Sequence, residues 1–229
     1  GHLLTLEQKK IENRVLIMDE TLRPEPNKNY QTKVNREWRE ELLKHADQNK
    51  MLPIAKLDFD RARSARDSLL LDPEARKLIM NKKNQFEVVK KWKWKKSLMK
   101  AKVDIDNPDF MADLKFVTSA NPKKFHREIF RWGWYRQGGC YLDGDLKGKY
   151  DREPHKRYFI IAVESNEPFG VSVNELDVEV IDWGVQEYRL LTQQLQSCID
   201  HNVWESYGFH SQTQTGTFDV LLPAYIDQI

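Results

Sequence analysis

Residues 100–120 read KAKVDIDNPDFMADLKFVTSA, and the fold of the chain turns on how this stretch is taken. Leu98–Asp104 and Phe110–Phe116 are predicted to be two strands, joined by Ile105–Asp109 (IDNPD), whose Asn-Pro-Asp run has the chemistry of a tight turn. Phe110, Met111, Ala112, Leu114 and Phe116 make the second strand nearly continuously apolar, as in a strand buried on both faces. Side chains two apart on a strand emerge on the same face, so Asp113 and Lys115 stand together. Asp104, at the end of the preceding strand, can approach Asp113 across the turn. A charged group in such a strand is costly unless it pairs or binds a cation.

Upstream, Gln85–Lys96 (QFEVVKKWKWKK) alternates Lys and Trp from Lys91 to Lys95, the period of a strand, so three strands run in succession. Before it the spacing predicts a helix end over His2–Lys10, a short strand at Arg14–Met18, and helices over Asn35–Asp47, Asp58–Leu71 and Glu74–Met80. Asp72-Pro73 is the start signal of the last of these. Downstream, Asn121-Pro122 starts a helix running to about Trp132. Gly133 interrupts it, and a second helix follows from Trp134 to Asp143. Arg157–Glu164 and Gly170–Glu175 read as an antiparallel pair, followed by a long amphipathic helix over Val178–His201. The order predicts one α/β domain over residues 1–229, a mixed central sheet flanked by helices.

Among the 229 residues, 37 Lys and Arg face 35 Asp and Glu, but the charge is unevenly distributed. Residues 76–136 hold 17 basic against 6 acidic residues, whereas residues 137–229 hold 6 against 15. A basic middle suggests a face for a polyanion, although a solvated lysine-rich surface would look the same. No apolar run approaches the roughly 20 residues of a membrane span, and His2–Leu6 is too short for a signal peptide. Two cysteines, Cys140 and Cys198, form no disulfide framework or zinc pattern, and the expected compartment is the cytoplasm.

The acid–acid–lysine set Asp104, Asp113 and Lys115 carries the chemistry. Two convergent carboxylates are the usual hard-oxygen ligands of Mg2+ (Mn2+ is the substitute), and the carbonyl of Leu114 is a further candidate. A lysine beside them can serve an attacking water or neutralise charge on a phosphate. Alone, such a set also occurs as a surface Asp–Lys pair. Lys124, Arg127 and Arg131 form a basic helix stripe beside an apolar one of Phe125, Ile129 and Trp132. Gln137 and Tyr141, four apart, share the face of the next helix. Lys91 and Lys93 are candidates for DNA contact, with Trp92 and Trp94 turned inward; discouraging edge pairing is the other reading. Glu87 could add a carboxylate, and Glu164 either borders the cleft or faces solvent. His45, His126, His155, His201 and His210 show no metal-ligand spacing.

Asp113-Leu114-Lys115, preceded by Asp104 and followed by Gln137-x-x-x-Tyr141, resembles the PD-(D/E)xK and QxxxY motifs of RecB-type nucleases. Within that superfamily the chain is most similar to the RecE-type exonucleases (exodeoxyribonuclease VIII) of phages and prophages. KAKVDIDNPDFMADLKFVTSA resembles that family's acid–turn–lysine strand pair, and WGWYRQGGCYLDG its glutamine- and tyrosine-bearing helix. RYFIIAVESNEPFGVSVNEL resembles its late hairpin, and HLLTLE its helix with a metal-site histidine, here His2. Val103 replaces the motif's proline, and Phe116 and Val117 stand where the family usually has threonines. The resemblance implies a restriction-endonuclease-like fold and Mg2+-dependent exonuclease action on double-stranded DNA ends, in the 5′ to 3′ direction. It also implies a homo-oligomeric ring and a single-strand annealing protein as partner. An endonuclease, a Cas4-like nuclease and a non-catalytic DNA-binding relic are the alternatives. Two cysteines cannot supply the four that a Cas4-like iron–sulfur cluster requires.

Overall fold

In the computed structural model, which describes residues 5–6, 14–151 and 155–204, strands β1 (Val15–Met18) and β2 (Leu52–Ala55) form a small parallel pair apart from the main sheet. Between them runs helix α1 (Lys33–Gln48), started by the Thr32 hydroxyl accepting from the Asn35 N–H. Helix α2 (Lys56–Leu71) follows β2 directly. Helix α3 (Pro73–Ile79) begins as expected, with the Asp72 carboxylate accepting from the Ala75 N–H at 2.8 Å and Pro73 in its first turn. Strand β2 is not evident in the sequence, since Leu-Pro-Ile-Ala is too short to show a period and contains a proline.

Strands β3 (Gln85–Trp94), β4 (Ser97–Asp106) and β5 (Phe110–Val117) lie side by side. Helices α4 (Pro122–Arg131) and α5 (Trp134–Asp145) cross over to β6 (Arg157–Glu164), which runs parallel to β5, and β7 (Val171–Leu176) returns antiparallel. The sheet order is β3-β4-β5-β6-β7, so the predicted mixed sheet flanked by helices is present. Most boundaries shift by a residue or two, and those of the β3–β4–β5 run have a clear cause. Strand β3 ends at Trp94 because Lys95, at φ 52°, opens a two-residue turn in a position usually held by glycine. Strand β4 runs past Asp104 to Asp106, because Ile105 and Asp106 pair with Ala112 and Met111; the turn is only Asn107–Asp109.

Each sheet face has its own core. Met111, Tyr158 and Ile160 pack with Phe125 and Ile129 of α4 and Tyr135 and Leu142 of α5. Ala112, Leu114 and Ile161 pack on the other face with Ala65 and Leu69 of α2 and Leu78 and Ile79 of α3. The result is a helix–sheet–helix sandwich in which β5 is buried from both sides. Contacts divide the chain into two units, residues 1–188 and 189–229. The first contains both sheets and these cores. In the second, helix α6 (Val178–His201) reaches its end, with Leu191, Leu195 and Ile199 exposed.

Candidate active site

Strand β4 parts from β5 at Asp104. The ladder stops at Ile105–Ala112, and one further step of the same register sets Asp104 opposite Asp113. The next step would pair Leu114 with Val103, but the Leu114 N–H instead donates to Asp104 Oδ2 at 2.9 Å. Val103 and Ile105, two apart, ought to share a face; they lie in opposite cores, so β4 turns over at Asp104. Opposite that point on β3 stands Glu87, at φ 56° and ion-paired with Lys102. Both aspartates are thereby buried, Asp104 at 8% and Asp113 at 3% exposure.

Helix α5 completes the group. Its start at Gly133, φ 69°, lets the chain turn sharply out of α4. A Cβ on Gly139 would lie 2.5 Å from the Val185 N, so the bare glycine lets α5 lie backbone to backbone against α6. One turn apart, Gln137 and Tyr141 then face β5. Lys115 Nζ donates to Gln137 Oε1 at 3.0 Å, and Gln137 Nε2 donates to Asp113 Oδ1 at 2.6 Å and to the Tyr141 hydroxyl at 3.0 Å. An amide, with an acceptor and two donors on one planar group, satisfies a cation and a carboxylate together. Lys115 Nζ also lies 2.6 Å from Asp113 Oδ2 and 5.3 Å from the centre of the Trp134 ring. Burial, together with the charges of Asp113 and Asp104, raises the Tyr141 pKa against the opposing Gln137 hydrogen bond, so the phenol stays protonated. All five predicted catalytic residues therefore meet in one group.

These residues suit a hard divalent cation. Two carboxylate groups stand side by side, and a residue's C=O in a strand points to the same side as its N–H, so the Leu114 carbonyl shares the opening beside Asp104. Beneath them, the buried Tyr158 hydroxyl has no hydrogen-bond partner among the described residues. No group of three or more His, Cys, Asp or Glu arranged for a metal occurs among the described residues. Two carboxylates and a carbonyl match Mg2+, which keeps several waters, better than they match a closed zinc site. His2 lies outside the described residues.

The basic stripe is only partly aligned with the site. Lys124 and Arg131 line a cleft with Phe116, Thr118, Ser119 and Trp134, next to Lys115. Arg127 is exposed but is not part of that lining. Arg131 is paired with Glu128 at 3.4 Å. Trp132 does not join the apolar stripe: it is 59% exposed, and its indole N–H donates to Glu128. Thr118 and Ser119 supply hydroxyls just beyond the positions of Phe116 and Val117. Lys91 and Lys93 point outward and Trp92 is buried, as the alternation predicts. Glu164 stands next to Ser165 of the cleft lining and accepts from the Ala120 and Gly170 N–H groups, tying the segment after β5 to the β6–β7 turn. His126 contacts Asn174, His155 contacts Asp145, and His45 contacts Asn49, all away from the two aspartates. Burial pushes the Cys140 thiol up to about 12, which leaves it unreactive.

Two features escape a reading of the sequence. Trp134, under the Lys115 ammonium, stands three residues before Gln137 and thus on the same helix face, a signal that spacing could have supplied. Lys90, Asp106, Asp145, His155 and Lys156 form a half-buried charge network joining β3, β4, α5 and the start of β6. Its members are too far apart in sequence to be grouped without the fold.

A family model described as a PDDEXK-like domain of unknown function (DUF3799) matches residues 6–213. A crystal structure from Eubacterium rectale, described as a "Putative exonuclease", aligns with a TM-score of 0.55 at 14% identity, covering 82% of this chain and 72% of that one. That likeness is one of fold. No curated protein matches the chain.

Proposed function

The chain belongs to the PDDEXK-like domain family DUF3799, and we propose that it hydrolyses DNA phosphodiester bonds with Mg2+, using Asp104, Asp113, Lys115, Gln137 and Tyr141. The observation that carries this reading is the Gln137 amide, which joins Lys115 to Asp113 while Asp104 stands one register step from the ladder's end. A surface Asp–Lys pair would have no use for a half-buried amide between its charges.

Asp104, Asp113 and the Leu114 carbonyl would hold the ion, and Mn2+ would fit the same oxygen donors. Bound there, Mg2+ would supply Lewis acidity toward the phosphate. Lys115, fixed by Asp113, Gln137 and the Trp134 ring, presents its ammonium where charge builds on the phosphate oxygens or where an attacking water must be held. Gln137 keeps Lys115 and Asp113 in register, and the protonated Tyr141 hydroxyl offers a donor from the helix side. Lys124 and Arg131 line the adjoining cleft, a route for the DNA backbone, with Arg127 further out along the helix.

The finer reading is exonuclease action on double-stranded ends, 5′ to 3′, supported by the RecE-type motif pattern and by the exonuclease description of the E. rectale protein of similar fold. A homo-oligomeric ring and hand-over of the exposed strand to a single-strand annealing protein belong to the same proposal. Incubation of linear and covalently closed duplex DNA with the protein, with and without Mg2+, tests it. Linear DNA should shorten from its ends only with metal. Rapid cutting of closed circles would favour the endonuclease alternative, and no cleavage of any DNA with Mg2+ or Mn2+ would overturn the reading.

A further inference from the structure

Beyond the active centre, we infer that the open face of the β3–β4 ribbon is a second DNA site, which grips the phosphates of the duplex next to the cleavage position. This rests on the nuclease reading only for its biological purpose; the surface itself is defined by register and charge.

Before Ile105, β4 has no ladder with β5, so residues 88–103 form a two-stranded ribbon. One face is covered: Trp92 and Ala101 are buried, and the Trp92 ring lies against Gly144 of α5. On the other face the register pairs Lys93 with Leu98, Lys91 with Lys100, and Val89 with Lys102. Two residues on from Lys102, at the point where this ladder skips a pair, stands Asp104, so the row of lysines ends next to a proposed catalytic carboxylate. Leu98 is 86% exposed, and all four lysines are exposed.

Two lysines directly across a ladder repel each other and weaken it. Lys91 and Lys100 face each other in this way, and among the described residues neither these two nor Lys93 forms an ion pair, whereas Lys102 pairs with Glu87. Uncompensated like charge held across a ladder is an arrangement that a polyanion relieves. Successive lysines on one strand are about 6.8 Å apart, twice the about 3.4 Å that one DNA strand advances per phosphate. Duplex is favoured over single strand because the aromatic residues that alternate with the lysines, Trp92 and Trp94, fall on the covered face, while Phe86, 37% exposed, stands beyond the ribbon's end where β3 pairs with Ile105. Single-strand sites stack bases on exposed rings, and the lysine face offers only Val89 and Leu98.

The test measures the affinity of the full chain for a blunt duplex without Mg2+, from about 50 to 200 mM salt, where the slope counts neutralised phosphates at about 0.9 each. The variant K91Q/K93Q/K100Q should lower that slope by about three while its melting temperature stays the same or rises. Lys124→Gln with Arg131→Gln, scored alongside, should lower it separately and additively. An unchanged slope in the ribbon variant, with wild-type protein binding and cleaving, overturns the inference and leaves the nuclease reading standing. A reduced slope in a protein that never cleaves with Mg2+ supports the ribbon and overturns the nuclease reading. A reduced slope on single-stranded DNA alone overturns the duplex assignment, and an aggregating variant with unchanged slope reduces the lysines to edge protection.

Discussion

Leu114 donates its backbone N–H to Asp104 Oδ2 at 2.9 Å, taking up with a side chain the bond that the β-ladder would have given to the carbonyl of Val103. One carboxylate thus has two duties: it closes the gap where the strands part and presents its remaining oxygen beside Asp113. The two duties can be separated by substitution.

Asp104→Asn keeps an oxygen acceptor for Leu114, so its melting temperature should stay near that of the wild type while Mg2+-dependent cleavage is lost. Asp104→Ala leaves a buried N–H unmatched and should cost about 1–3 kcal/mol as well. Denaturant unfolding and a nuclease assay on both variants check this. An Asn variant that cleaves normally would remove Asp104 from the site.

Lys115→Ala should lower turnover about 10²–10⁴-fold while leaving the salt slope of duplex binding within about one unit, since one cation among many is removed. Weak binding combined with normal turnover of bound DNA would make Lys115 an anchor only.

Gln137→Leu removes the amide between Lys115 and Asp113 without emptying the space. It should reduce kcat with little change in KM, because Gln137 positions the two charges. Gln137→Asn, too short to span both, should behave similarly. Wild-type kcat in either variant would reduce the bridge to ornament.

Asp145 gives a pH prediction. Burial pushes its pKa up, but hydrogen bonds from Lys90, His155 and Lys156 outweigh that and lower it from 3.8 to about 2. A depressed folded-state pKa contributes stability above the unfolded value, and that contribution is lost as pH falls through the folded one. The stability gap between wild type and Asp145→Asn, at most about 2 kcal/mol, should therefore be full above pH 4 and shrink between pH 4 and 2. Thermal unfolding across that range measures it, and a constant gap would show that the network does not couple to Asp145 ionisation.

Gly139→Ala should destabilise by about 1–3 kcal/mol, since its methyl would meet the Val185 N at 2.5 Å. Cleavage should fall further than the melting temperature predicts, because α5 carries Gln137 and Tyr141. A stable and fully active variant would show that α5 can yield.

Much of the site was legible because its signals are periodic. Asp113 and Lys115 sit two apart on a strand, Gln137 and Tyr141 four apart on a helix, and each spacing fixes a common face. The Phe110–Val117 run announced its own burial. What stayed hidden depends on breaks in periodicity or on distant neighbours. No pattern signals that β4 turns over between Val103 and Ile105. The clamp role of Glu164 requires knowing where Ala120 and Gly170 end up. Arg127 obeys the helix spacing yet lies outside the cleft lining, because spacing gives a face but not the neighbour that the face meets.

Gly139 and Gly184 meet where α5 and α6 cross, and a methyl on either would strike the other helix's backbone. A random mutagenesis screen scored only on lost cleavage would return both glycines beside Asp113 and Lys115. Neither has a side chain with which to touch DNA, so a map of intolerant positions drawn from such a screen would extend well beyond the residues in contact with substrate.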